Sequence, residues 1–203
     1  MKILQIVPAY APAWAYGGTA RVMFSLAKGL VERGHKVTVY STDAYDESSR
    51  IITDKDMIDG IKIYYFRNIS NWLAFKKRFI PISFRSFLKQ HIENFDIVHL
   101  SGTRNYLSIF TNLYSYKKNI PLAFSAHGSL PRRNEGLKTI YDFFFVKPMI
   151  KNAGLLITQT KNEIEIYKDF CAKSEKISLI PLPIHLSEMP VVHRGEFRRR
   201  YGF

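Results

Sequence analysis

Short apolar runs alternate along the chain with longer stretches in which apolar residues recur every three or four positions. The runs "KILQIV" (2–7) and "KVTVYST" (36–42) read as strands, and residues 20–34 between them carry Val22, Leu26 and Leu30 at helical spacing. Gly34 supplies the stop for that helix. "IKIYYF" (61–66) predicts a third strand after the turn-prone Asp59–Gly60 pair. The second half of 75–95 predicts a helix, "DIVHL" (96–100) a buried strand, and residues from about 106 to 117 another helix. "PLAFSA" (121–126), a helix over about 137–151, "GLLIT" (154–158), a helix over about 162–170 and "ISLI" (177–180) complete the series. Strands alternating with helices predict an α/β fold, a Rossmann-like, doubly wound and mainly parallel sheet over residues 1–180. Residues 181–190 break the pattern: three prolines and no periodicity mark a linker, and 195–203 begin a helix. The expectation is that 181–203 lead into a second domain, so that this sequence is a piece of a longer protein or one half of a split one.

Composition changes the picture in one respect. A hydrophobic fraction of 46% and a charged fraction of 23% describe an ordinary soluble globule, but a net charge of +13 implies an acidic partner. The single cysteine, Cys171, excludes a disulfide framework and a cysteine-rich metal site within the chain. Lys2 and the apolar run after it imitate a secretory signal, yet only five apolar residues precede Pro8. Pro8, Pro12, Gly17 and Gly18 interrupt the uncharged stretch 3–20, which therefore cannot span a membrane.

In an open α/β sheet ligands bind beyond the carboxyl ends of the strands, so candidate residues are sought there. After the first strand, residues 8–18 end in Gly17 and Gly18 just before a helix. Glycines let a ligand approach the backbone, and the unpaired N–H groups and dipole of a helix start suit a phosphate or diphosphate. Gly17, Gly18 and Thr19 are the candidates for that anion, the alternative being a plain turn with Thr19 as helix cap. His127, directly after "PLAFSA" and followed by Gly128, faces the crevice as a hydrogen-bond donor or proton acceptor, with a packed structural histidine as the alternative. His99 inside "DIVHL" reads as a core residue, and His35 as structural. Thr103, Arg104 and Asn105 follow "DIVHL" and offer donors and a charge, or else cap a helix. Arg132 and Arg133 could grip an anion or be solvated, and Tyr16 and Arg21 flank the glycine pair.

Two constellations are set aside. The acidic pair of "DKD" (54–56) follows no apolar strand and makes a poor metal site. Asp43 could hold a ribose, but no G-x-G-x-x-G follows the first strand, which disfavours a nicotinamide dehydrogenase. The basic charge concentrates in 72–89, where Trp72, Phe75 and Phe79 interleave with Lys76, Lys77 and Arg78, a mixture suited to an anionic membrane surface. Residues 141–151 repeat the mixture but read better as a packed helix with a solvated basic face. No nucleic-acid-binding motif is present, so nucleic acid is not expected as a partner.

Taken in order, the strand–"GG"–helix start, "GLVERGHKVTVYSTD", "DIVHLSG", "SAHGS", "GLLITQTKNEIEIY" and "ISLIP" resemble the N-terminal domain of family 4 glycosyltransferases, the group 1 retaining enzymes of the GT-B fold. The resemblance implies a Rossmann-like half that holds the acceptor across a cleft from a nucleotide-sugar-binding half. It implies that the backbone at Gly17 and Gly18 approaches the donor diphosphate, and that His127 contacts the donor sugar. It further implies a retaining transfer with no metal and no cofactor beyond the nucleotide-sugar co-substrate. Tyr16, Arg21, Thr103, Arg104, Asn105, Arg132 and Arg133 then become candidates for a glycan or lipid-linked acceptor. The setting implied is cytoplasmic synthesis of cell-surface polysaccharide or glycolipid, at the inner face of the plasma membrane. The sequence departs from the family pattern in Thr19–Ala20–Arg21, where an acidic residue is common, and in "PLP" (181–183), where "PNG" is usual. A stand-alone module that binds an acidic glycan or phosphorylated ligand without chemistry is the competing reading.

Overall fold

The computed structural model describes residues 1–130, 136–183 and 193–203. Its centre is β1 (Lys2–Ile6), flanked in parallel by β2 (Lys36–Thr42) and β5 (Ile97–Ser101). β4 (Ile61–Phe66) adds to β2, and β6 (Leu122–Ser125), β7 (Leu155–Thr158) and β8 (Ile177–Leu179) add in turn beyond β5, all parallel. One element has no counterpart in the sequence reading. β3 (Lys55–Ile58) pairs antiparallel with β4 at the sheet edge, joined to it by the turn at Asp59 and Gly60. The charged "DKD" stretch thus lies on an edge strand whose burial pattern is almost wholly exposed, which is where a strand tolerates charge.

Strands buried on both faces put alternate side chains into two cores. Leu4, Ile6, Tyr40, Val98, Leu100, Phe124 and Leu156 point to one side. There they meet α3 (Phe84–His91), α4 (Tyr106–Lys117), α6 (Lys147–Asn152) and α7 (Lys161–Asp169) through Phe84, Leu88, Leu107, Tyr114, Met149, Ile150 and Tyr167. Val7, Val37, Val39, Ile61 and Ile63 point to the other side and meet α1 (Gly18–Glu32) through Met23 and Ala27. α1 closes as predicted. Gly34 sits at φ 81°, its N–H donates to the Val31 carbonyl at 2.8 Å and that of His35 to the Leu30 carbonyl at 3.1 Å, a Schellman ending.

The helix predicted for the second half of 75–95 is α3, and ahead of it lie a short α2 (Asn71–Phe75) and a turn with Lys77 at φ 59°. One predicted helix is subdivided. The helix expected over 137–151 is α5 (Gly136–Tyr141), a single π-helical turn at Asp142–Val146, and α6. α8 (Glu196–Tyr201) matches the expected helix start, while residues 184–190 of the expected linker, the two residues after it, and Arg132 and Arg133 lie outside the described residues.

Candidate active site

Beyond the carboxyl ends of β1, β5 and β6 lies a cavity of about 170 Å³. Its floor is Val7–Ala9 after β1, Ser101 and Gly102 from β5, and Ala126, His127 and Ser129 after β6; Thr19 and Ala20 of α1, Tyr16, Lys77 and Phe79 complete the wall. A whole-ligand pocket is usually roughly 300–1,000 Å³. This one is sugar-sized rather than nucleotide-sized, so a larger ligand would extend past it.

Gly17 and Gly18 directly precede Thr19 and Ala20, which line this site. Gly17 is the N-cap of α1, with φ 99° and ψ −159°, a conformation essentially confined to glycine. No side chain caps the helix there, and a Cβ at either glycine would meet nothing within 4 Å. The cap is therefore Gly17 rather than Thr19, which lies inside the helix and lines the cavity. The first N–H groups of a helix without a side-chain cap carry partial positive charge, the arrangement that favours an anion.

His127 is held with unusual thoroughness. Ala126–Ser129 form a turn, closed by the Ser129 N–H to the Ala126 carbonyl at 3.1 Å, in which His127 (φ 50°) and Gly128 (φ 71°) are both left-handed. A histidine there costs on the order of 1 kcal/mol and needs support from its surroundings. α7 provides it on one side. Glu163, 5% exposed, accepts from the Gly128 N–H at 2.9 Å and the Gln159 N–H at 2.8 Å, and the Tyr167 hydroxyl accepts from the Ala126 N–H at 3.0 Å. On the imidazole, Nδ1 is hydrogen-bonded to the Gln159 side-chain amide, and Nε2 is buried without a partner among the described residues. Burial pushes its pKa below the ordinary histidine range, against the opposing pull of Glu163, so the ring is neutral at pH 7. His99 is the core residue expected: 6% exposed, 2.8 Å from the Ser125 hydroxyl, its pKa pushed down to about 3 chiefly by burial and also by the neighbouring His127.

The residues after β5 have structural work to do. Arg104, an acceptor candidate, is instead a clamp: Nε donates to Asp142 Oδ1 at 2.8 Å, Nη2 to Asp142 Oδ2 at 3.0 Å and to the Leu130 carbonyl at 2.8 Å, and Nη1 to the Ser129 carbonyl. Asp142 is fully buried, so the guanidinium is committed to neutralising it. Thr103, 4% exposed, sits 3.0 Å from the Ser129 hydroxyl; that hydroxyl gives its proton to the Ala126 carbonyl, so Thr103 is the donor. Asn105 caps α4, accepting from the Ser108 N–H at 2.9 Å. The helix-capping alternative is the one realised at Asn105. Asp43, considered for a ribose, pairs with Arg50 at 2.8 Å and accepts from the Asn68 backbone and side chain.

Tyr16 lines the cavity with its ring on Phe79, while Arg21 is exposed and stacks over Trp14 at 5.0 Å. The membrane candidates divide. Trp72 is 66% exposed, and Phe75, Lys76 and Arg78 are exposed with it, but Lys77 lines the cavity and Phe79 is 7% exposed. Phe79 is thus a core residue, because the break at Lys77 turns the chain back onto Tyr16. In 141–151 the packed-helix reading holds for Val146, Met149 and Ile150 and fails for Phe143, Phe144 and Phe145, which the π-turn leaves exposed. Among the described residues no helix is long and apolar enough to cross a membrane, and no three histidine, cysteine, aspartate or glutamate side chains cluster as metal ligands.

Ser101, Gln159 and Glu163 escaped the sequence reading. The Ser101 hydroxyl is buried at the cavity without a protein partner. Its signal was present, a serine ending an apolar strand. Gln159 and Glu163 reach His127 and Gly128 across 32 and 35 residues, a proximity visible only once β6 and β7 are neighbours.

The sequence profile described as Glycosyltransferase Family 4 matches residues 16–188. The chain belongs to glycosyltransferase family 4. No curated protein matches it significantly. Among solved structures, Anabaena Alr3699/HepE in complex with UDP and glucose overlays the whole of this family 4 chain on 50% of its own, with a TM-score of 0.65 at 15% identity. Sucrose-phosphate synthase from Thermosynechococcus elongatus gives 0.65 at 13% identity, over the whole of this chain and 52% of that one. UDP-GlcNAc 2-epimerase from Neisseria meningitidis, bound to UDP-GlcNAc, gives 0.53 at 16% identity, over 88% of this chain and 46% of that one. The chain spans about half the length of these structures, and its fold is that of one half of a GT-B protein. The expected Rossmann-like architecture and family are therefore correct.

Proposed function

We propose that the chain is the acceptor-side half of a glycosyltransferase that moves a sugar from a nucleotide-sugar to a glycan or lipid-linked acceptor, with retention of configuration and no metal. The observation that carries this reading is that, in a family 4 chain, the uncapped start of α1 and the unpaired Nε2 of His127 open onto one cavity. The backbone at Gly17 and Gly18 approaches the donor diphosphate, which the first N–H groups of α1 receive as its charge grows with the breaking of the glycosidic bond. Stabilising that charge is an electrostatic task, done by oriented dipoles and cations already in place. Lys77 at the cavity wall adds a positive charge, and Ser101 and His127 offer hydrogen bonds to sugar hydroxyls. The acceptor enters beside Tyr16.

HepE was solved with UDP-glucose, which makes a uridine diphosphate sugar the first donor to try. The exposed Trp72, Phe75, Lys76 and Arg78 support a lipid-linked acceptor taken from an anionic membrane face during cell-surface polysaccharide or glycolipid synthesis. The test is turnover of the intact protein against a panel of nucleotide-sugars. His127→Ala is expected to lower kcat about 100-fold or more while leaving the fold intact, as loss of a group acting at the reacting centre does. Binding of a nucleotide-sugar without any turnover across the panel would replace this reading with the binding module.

A further inference from the structure

We propose that Gln159 is a positioning residue which holds the imidazole of His127 in its Nε2–H tautomer, so that the ring serves as a hydrogen-bond donor to the transferred sugar rather than as a proton acceptor. The inference rests on the reading of His127 given above and adds the direction of its hydrogen bond.

The argument starts from the two ring nitrogens. A neutral imidazole carries one proton, and the partner of one nitrogen decides where it sits. The Gln159 amide nitrogen faces Nδ1; an amide nitrogen only donates, so Nδ1 accepts and the proton belongs on Nε2. Nε2 is buried and has no acceptor among the described residues, although the N–H groups of Ala126 and Gly128 in the same turn are both paired. A buried N–H left unpaired costs about 1–3 kcal/mol, which a hydroxyl of a bound ligand would recover.

Gln159 is itself fixed. Its backbone N–H donates to Glu163 Oε2 at 2.8 Å, while Glu163 Oε1 takes the N–H of Gly128, the residue after the histidine. Thr160 caps α7 by accepting from the Glu163 N–H at 3.2 Å. In an ordinary capping box the glutamate returns to the cap residue; here it reaches one residue further back and across to the β6 turn. One buried carboxylate therefore ties the histidine's turn to the loop that carries the glutamine. The geometry aligns the amide with Nδ1 before any ligand arrives.

The tautomer can be read directly. In the intact protein with ¹⁵N-labelled histidine, two-bond ¹H–¹⁵N correlation spectra should show His127 protonated on Nε2 and unprotonated on Nδ1. Gln159→Leu removes the donor and should give a mixture of tautomers, with kcat down about tenfold and donor KM changed far less. Gln159→Glu replaces the donor by a carboxylate, should place a proton on Nδ1, and should shift the acidic limb of the kcat profile to higher pH by stabilising the imidazolium. A wild-type spectrum with the proton on Nδ1, or tautomers indifferent to Gln159→Leu, would overturn the proposal. If the tautomer shifts as expected but turnover does not change, the tautomer assignment stands and the role of His127 at the sugar falls instead.

Discussion

The two glycines at the start of α1 make separable demands at the scale of single residues. Gly17 occupies a backbone region closed to other residues, so Gly17→Ala is expected to cost about 1–3 kcal/mol and to lower Tm. Gly18 lies inside the helix without a positive φ, and a methyl group there would touch nothing of the protein. Gly18→Ala should therefore leave Tm unchanged or slightly raised while weakening nucleotide-sugar binding, because the added methyl occupies the space a diphosphate would take. Thermal unfolding beside a donor KM measurement separates the two, and an unaltered KM in Gly18→Ala would remove the diphosphate from this helix mouth. His127 was legible at this scale because its place at a strand end follows from a run of apolar residues alone. Phe79 was not, because in the sequence it belongs to one continuous basic and aromatic stretch. The break that buries it is a lysine in a left-handed conformation, which composition does not announce.

At the scale of elements, the ion pair between Arg104 and Asp142 joins the segment after β5 to the π-turn and, through the Ser129 and Leu130 carbonyls, to the turn of His127. Breaking a buried ion pair by removing one partner costs up to about 3–5 kcal/mol. Arg104→Met is thus expected to destabilise the fold by about 3 kcal/mol, measured by urea unfolding; a change below about 1 kcal/mol would mean that the guanidinium does not hold the π-turn and the His127 turn together. The mainly parallel sheet was legible through the alternation of strands with helices. The division of labour among residues after each strand was not, since Thr103, Arg104 and Asn105 are chemically fit for ligand contact and structural anchoring alike. Only the positions of Ser129, Asp142 and Ser108 decide between them.

For the whole molecule, the charge of +13 and the exposed aromatic groups bear on location. Surfaces that offer rings beside cations include Trp72 and Phe75 with Lys76 and Arg78, and Phe143–Phe145 with Lys147, whose ammonium lies 5.8 Å from the Phe143 ring centroid. The intact protein is expected to sediment with phosphatidylglycerol vesicles at low ionic strength and to be released by high salt, as counterions screen the lysines and arginines. Lys76→Glu with Arg78→Glu should reduce the bound fraction severalfold if the α2 segment is the contact, and Phe143→Ser with Phe144→Ser if the π-turn is. No binding of the wild type to such vesicles would remove the membrane from the proposed function.

The turn at Ala126–Ser129 has one more consequence. Its backbone is bonded to α7 through Glu163 and Tyr167 and to Arg104 from the other side, so it has no slack with which to follow a ligand. Substrates must be brought to the imidazole by movement elsewhere. An inhibitor shaped to a rigid wall can exploit this, for a pose that relies on the histidine swinging aside would first have to break hydrogen bonds that knit two neighbouring strands' exits together.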